Sequence, residues 1–308
     1  MKSVGNDSFF CIYTPGILLL TKHMEEVHRK ELIAAVQLQI SKVTEFCVAG
    51  DVSSEIKVHE IRKAFKRLNA LLKLFPAELQ PEVDKFRKPM RIIARRLTLG
   101  RESTVNLQLF DRLVIETGGL NEAANARLRD RLVQTNEESL DELVVKEKVL
   151  DDILQLMTYG RDMLMPVLVA ENYRVQIFDE IRETFTKGKD WYRFIAESYD
   201  AELYHNLRKL MKTLWYQSEI EAPGQTEVPG TVLEKLHNIT DQLGDDHDWY
   251  IFIKEISREI YDLSVDDIRQ CKKLVRQIQD KNLAELNPNL SDFFSTSEQR
   301  YIGLLREL

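Results

Sequence analysis

The chain has 308 residues, with 43 Lys plus Arg against 50 Asp plus Glu and a net charge of −7 at pH 7. Hydrophobic residues make up 44%, and the 12 Gly and 8 Pro are few, which excludes wholesale disorder and a turn-rich all-β chain. The mean charge also argues against a polyanion partner, but that inference holds only if the charge is evenly spread.

Three cysteines, Cys11, Cys47 and Cys271, are far apart and form no CxxC pair. That excludes a disulfide framework or Cys-based zinc site and fits a reducing, cytoplasmic setting. The N-terminus carries Lys2 and an apolar patch from Phe9 to Leu20, interrupted by Pro15 and Gly16 and followed by no small-residue cleavage site. It is a weak signal-peptide pattern and the only stretch with a hint of strand. No window of some eighteen apolar residues exists, so no membrane partner is expected.

From there the apolar spacing is helical. Leu32, Ala35, Val36, Leu38 and Ile40 define one stretch, Leu140, Leu143, Val144, Leu150, Ile153 and Leu154 a second, and Ile256, Ile260 and Leu263 a third. Breakers are expected at Gly118-Gly119, Gly188, Pro223-Gly224, Pro229-Gly230 and Pro288, with a solvent loop over Glu221 to Gly230. About eight to ten helices follow from typical helix and loop lengths, which makes the chain all-α.

A repeat organises the chain. His59, Arg62, Lys63 and Lys66 recur as His205, Arg208, Lys209 and Lys212, both as H-x-x-R-K-x-x-K and 146 residues apart. The apolar positions repeat in register, with Ile61, Ala64, Phe65 and Leu68 matching Leu207, Leu210, Met211 and Leu214. Leu99-Gly100 follows the first copy by 41 residues and Leu243-Gly244 the second by 39, each ahead of another helical pattern. Two related halves are expected, with a junction between about residues 150 and 175.

Offsets of 0, 3, 4 and 7 place the four side chains on one stripe of a helix. Three are permanent cations, and Arg67 extends the first stripe. Stacked like charges cost an isolated helix a few tenths of a kcal/mol per pair, so a doubled stripe points to an anion that offsets the repulsion. Arg presents a fork to phosphate oxygens, Lys a mobile point charge, and His gains a proton near an anion. A lone stripe is more often a solvated helix face. The local charge favours the anion: Lys57 to Arg101 holds 13 basic and 4 acidic residues, a net of +9, which leaves −16 on the remainder. Arg87, Arg91 and Arg95 continue the zone at i,i+4 spacing, with Lys88, Arg96 and Arg101 close by. Two adjacent basic helices would wall a cationic groove. Arg174 to Tyr216 is nearly neutral, 8 basic against 7 acidic, so the first half should dominate, with Lys187, Lys189 and Arg193 as further candidates in the second.

These motifs resemble the CHAD family, the conserved histidine α-helical domain. The paired H-x-x-R-K-x-x-K helices carry the resemblance, with Lys212-Thr213-Leu214-Trp215-Tyr216-Gln217 after the second His. Thr186-Lys187-Gly188-Lys189 before it, Leu99-Gly100-Arg101-Glu102, and Leu243 to Asp248 add to it. The similarity spans about residues 25–270. It implies two pseudo-twofold-related four-helix bundles around a basic central pore: an extension over 1–24, a first half over 25–165 and a second over 166–308. It also implies non-catalytic binding of inorganic polyphosphate, or of a related phosphate or sulfate-type anion, and association with polyphosphate granules. Thr213 in place of Arg67, and Asp245 in place of Arg101, thin the charge of the second side, and Glu102 replaces the more usual Asp.

The main rival is a metal-dependent phosphohydrolase using Asp245-Asp246-His247-Asp248. The blander reading makes these residues the cap and first turn of a helix starting after Gly244, with His247 turned to the pore. His23, His28 and His237 read as surface or packing residues, and Trp191, Trp215 and Trp249 as core. Nucleic-acid binding would rest on charge alone and is not expected. No cofactor is expected, and no feature fixes an oligomeric state.

Overall fold

A computed structural model describes residues 15–170, 173, 175–195, 200–221, 228 and 230–308, with side chains from Glu26 onward except Leu99. The described residues hold no strand. Their α-helices are α1 (Pro15–Val48), α2 (Ser54–Leu71), α3 (Gln80–Thr117), α4 (Glu122–Asp141), α5 (Val149–Tyr159), α6 (Met165–Ala170), α7 (Ile177–Ile195), α8 (Ala201–Ser218), α9 (Val232–Ile256), α10 (Val265–Ser295) and α11 (Glu298–Arg306). The expected strand character near Phe9 to Leu20 is replaced by helix over 15–20, and Phe9 to Thr14 lie outside the described residues. Most of the loop expected over Glu221 to Gly230 also lies outside them.

Caps explain where the two stripe helices begin. Ser53 accepts from the Ile56 amide at the start of α2, and Asp200 accepts from the Glu202 and Leu203 amides at the start of α8. Each satisfies amides that a helix start leaves unpaired. The apolar stripes repeat in the folded chain as in the sequence: Ile61, Phe65 and Leu68 are buried on α2, and Leu207, Met211 and Leu214 on α8.

Several expected breaks do not occur. Gly118 does end α3, at φ 80, where Gly is free of the Cβ clash. Gly188 instead lies inside α7, where an added Cβ would sit 3.3 Å from Phe294, so its role is close approach rather than termination. Pro288 lies inside α10. Both Leu-Gly pairs fall within continuous helices, α3 and α9, not ahead of them. Conversely, the apolar run from Leu140 to Leu154 is not one helix. A π turn over Glu142–Lys146 and Lys148 at φ 49 separate α4 from α5. The run from Ile256 to Leu263 is interrupted likewise, by a 3-10 turn over Glu259–Tyr261 and Asp262 at φ 48. Periodicity alone cannot see a backbone reset of this kind. Helix α1 passes residue 24 unbroken, and residue 165 falls in the helical run from α5 through a π turn to α6.

Successive helices pack on one another: α1 on α2, α2 on α3 and α3 on α4, then α7 on α8, α8 on α9 and α9 on α10. Helix α2 also packs on α8, and α3 on α9. The apolar interior divides differently from the sequence. One cluster holds α1, α2, the N-terminal part of α3, α5, α6, α7, α8, the N-terminal part of α9, the C-terminal part of α10 and α11. A second joins Phe110 and Leu113 of α3, Leu128 of α4, Trp249 and Phe252 of α9, and Val275 of α10. Helix length is the reason. At 1.5 Å per residue, α3 and α9 outrun the first cluster and meet again beyond it. Arg112 of α3 ties this region together, 2.5 Å from Asp245 of α9 and over the Trp249 ring.

Candidate anion-binding cleft

The contact of α2 with α8 brings the two basic stripes together. Each stripe Arg leans on the next helix of its own half. Arg62 Nη1 donates to the Ala94 carbonyl and to Thr98 Oγ1, both at 2.7 Å, on α3. Arg208 lies along Gly244 of α9, where a Cβ would stand 3.5 Å from its Nε. The repeated glycine therefore leaves room for a guanidinium in the second half. In the first half a Cβ on Gly100 would meet Leu143 at 3.1 Å.

His205 and His247 stack with ring centroids 4.0 Å apart. Burial pushes His205 down to about 4, helped by Lys209, Arg208 and Lys66. Burial pushes His247 down to about 3, helped by His205, Arg208, Lys209 and Lys66. Both rings are neutral at neutral pH. His59 is also lowered, by burial and then by Arg101, with Glu60 acting in the opposite sense. Lys66 falls to about 7 through enclosure by protein and then through Arg208, Arg62 and Lys212. Its side chain nevertheless stays exposed to solvent. A lysine surrounded by protein yet wetted is one that stands in a cleft, where water screens part of its neighbours' repulsion. That Arg208 and Lys212 of α8 act on Lys66 of α2 places both stripes in one field.

Four buried nitrogens in this cluster have no hydrogen-bond partner: Arg62 Nε, Arg208 Nε, His205 Nδ1 and His247 Nδ1. Leaving such a group unsatisfied costs about 1–3 kcal/mol. Two carboxyls stand among the cations, neither of them among the expected anion-binding residues. Asp248 faces Arg208, Lys66 and Arg101, and Glu102 faces Arg62; burial raises both. They are fewer than the cations they face, so the cleft stays positive.

Beside the cluster, α2 and α3 border an open cavity of about 250 Å³. Arg62, Lys66, Asn69, Arg91, Arg95 and Thr98 line it over an apolar floor of Phe65 and Met90.

The remaining candidates divide. Arg101 joins the cluster by its influence on His59 and Arg62, and Lys63 by its influence on Lys212. Arg87 is held by Asp84, but with Arg91 and Lys187 it bears on Lys73, whose charge is disfavoured first by burial. Arg67 is withdrawn into a 3.1 Å pair with Glu219, over the rings of Trp215 and Tyr216. Arg96 is taken by Asp152 and Glu147. Lys189 donates to the Thr296 carbonyl, and Arg193 pairs with Asp190. These four are engaged by carboxylates or by a carbonyl, as Lys212 is by Asp241 at 3.2 Å. Lys187 is paired with Glu183.

The sequence pattern had passed over Lys73 and Asn69. Their signal was the alternation of three and four residues through positions 59, 62, 66, 69 and 73.

The Asp245–Asp248 segment is neither a helix start nor a ligand set. It lies in the middle of α9. Asp245 is engaged by Arg112, and Asp246 accepts from Gln279 Nε2 at 3.0 Å. Among the described residues no three His, Cys, Asp or Glu side chains are grouped to hold a metal ion. His28 lies 3.5 Å from Glu221 and edge-on to Phe178, His237 lies against Trp215, and the His23 side chain is outside the described residues. Trp215 and Trp249 are buried. No described helix is long and apolar enough to cross a membrane.

Fold and site together define an all-α protein in which two helices carrying the same basic motif pack on one another and bring their cations together. The chain belongs to the CHAD domain family, whose profile matches residues 34–257. Among solved structures it is similar to PptA from Streptomyces chartreusis, at 13% identity and a TM-score of 0.60, over 87% of this chain and 99% of that one. No curated protein matches.

Proposed function

We propose that the chain binds inorganic polyphosphate without catalysis, in a basic pore where two pseudo-twofold-related halves meet, and that binding in the cytoplasm directs it to polyphosphate granules. The observation that carries this reading is the convergence, at the contact of α2 with α8, of four orphaned buried nitrogens with Lys63 and Lys66, while Lys209 reaches only Asn206 and Lys212 pairs with Asp241. A chain of phosphates supplies what the cluster lacks: many acceptors, closely spaced charge and a thin profile. The acidic remainder of the protein repels bulkier polyanions and so favours polyphosphate over nucleic acid. Two of the carboxylates that the hydrolase reading needs, Asp245 and Asp246, are engaged by Arg112 and Gln279, and the third, Asp248, lies among cations.

Lys63→Gln, Lys66→Gln and Lys209→Gln combined test the reading by calorimetric titration over a range of salt. Three lost contacts at about 0.7 each should make the log–log salt dependence shallower by about 2 and weaken binding about 100-fold at 0.1 M salt, borrowing the single-strand coefficient for nucleic acids. An unchanged affinity in the triple variant overturns the assignment. Metal-dependent phosphate release by the purified protein would restore the hydrolase.

A further inference from the structure

We infer that the cleft has a one-sided extension: the cavity between α2 and α3 is a second anion subsite, and a long phosphate chain leaves the central cleft along it and not along the matching face of the second half. This rests on the reading that the cleft binds polyphosphate, and it adds a direction and a longer footprint.

The first observation is a continuous double row of polar and cationic groups. On α2 and the turn after it, Lys66, Asn69 and Lys73 succeed one another. On α3, Arg95, Arg91 and Arg87 do so alongside. Arg62 and Lys66 belong both to the central cluster and to the lining of the cavity, so the cavity opens directly beside the cluster. Arg91 and Arg95 are exposed, and no carboxylate lies within ion-pairing distance of either among the described residues. At the far end Lys73 feels Arg87, Arg91 and Lys187 together. Like charges held this close repel, and an anion threaded between the rows relieves that repulsion.

The second observation is the repeat, which supplies an internal comparison. The counterpart of Asn69, 146 residues on, is Trp215, which is buried. It lies beneath the Lys212 ammonium at 4.5 Å and against His237 at 4.4 Å. Aligning Gly100 with Gly244 sets Ile239 opposite Arg95 and Lys235 opposite Arg91. Ile239 is buried, and Lys235 is paired with Asp292 at 3.1 Å. An indole and an apolar side chain therefore fill in the second half what stays an open, charged slot in the first.

The test compares triphosphate with long-chain polyphosphate on the full chain. Arg91→Gln/Arg95→Gln is set against wild type and against the mirror-position variant Lys235→Gln, with thermal unfolding checking that each stays folded. For the double variant, two lost contacts should weaken long-chain binding about 25-fold at 0.1 M salt and flatten its salt slope by about 1.4. Triphosphate, short enough for the central cleft alone, should keep its affinity within about twofold, and Lys235→Gln should leave both ligands unchanged. Equal losses for the two ligands, or a double variant indistinguishable from a wild type that binds both, overturn the extension and leave the central reading standing. A wild type that binds neither ligand overturns both.

Discussion

Binding in the cleft should take up protons, by an amount that follows from three groups. In the free protein Lys66 lies at about 7, His205 at about 4 and His247 at about 3. At pH 7 Lys66 is half protonated and both rings are neutral. An anion within about 4–6 Å raises such values by about 1–3 units. Lys66 then fills, taking up about 0.5 proton, and His205, lifted by the full ~3 units, takes up about 0.5 more. His247 would reach only about 6 and add about 0.1. The total is roughly 0.5–1.1 protons per complex. Because the complex holds more protons than the free protein, affinity must fall as pH rises, by about 3- to 10-fold per unit near neutrality. Calorimetry in two buffers of different ionisation enthalpy reads the uptake directly. Long-chain polymer is the ligand, because its internal phosphates do not titrate in this range. Lys66→Gln should remove about 0.5 proton. Zero uptake, affinity that rises with pH, or the same uptake in Lys66→Gln would each refute the claim that the ligand sits against these groups.

Four predictions concern stability. The folded His205 and His247 lie below the unfolded value of 6.5, so their contribution is present above that value and lost as pH falls toward about 4 and then 3. Urea unfolding between pH 7 and pH 4 should show the loss, and polyphosphate should reverse it. Gly160→Ala would place a Cβ 2.7 Å from Phe86 Cε2, against a ring with no exposure, and should cost about 1–3 kcal/mol. Gly303→Ala meets nothing within 4 Å and should gain up to about 1 kcal/mol in the same denaturation assay. Arg67→Gln removes a half-buried ion pair and two ring contacts and should cost about 1–2 kcal/mol in urea melts. A cost below about 0.3 kcal/mol would mean that Arg67 contributes no packing between α2 and α8.

Much of the candidate site was legible because a helical stripe is a local property. His59, Arg62, Lys63 and Lys66 share a face by spacing alone, and their copies in α8 do so for the same reason. What spacing could not reveal was pairing. Arg67 and Arg96 look like continuations of the stripe and its neighbour, yet Glu219 and Asp152, 152 and 56 residues away in the chain, neutralise them. The stack of His205 on His247 and the pressure of Asp248 on the cations are equally long-range. Breakers misled for a related reason. Gly188 and Pro288 have the chemistry of helix ends, but packing against Phe294 gives Gly188 a use inside α7, and α10 continues through Pro288.

The sequence by itself determined that the chain is helical, carries a repeated basic motif and is locally basic, because periodicity, repetition and charge density are written along the chain. Only the tertiary structure decided which cations are free and that both stripes share one field. It also decided that the slot of the first half is filled by Trp215 and Ile239 in the second, because each outcome depends on which distant side chain arrives first at a given charge or space.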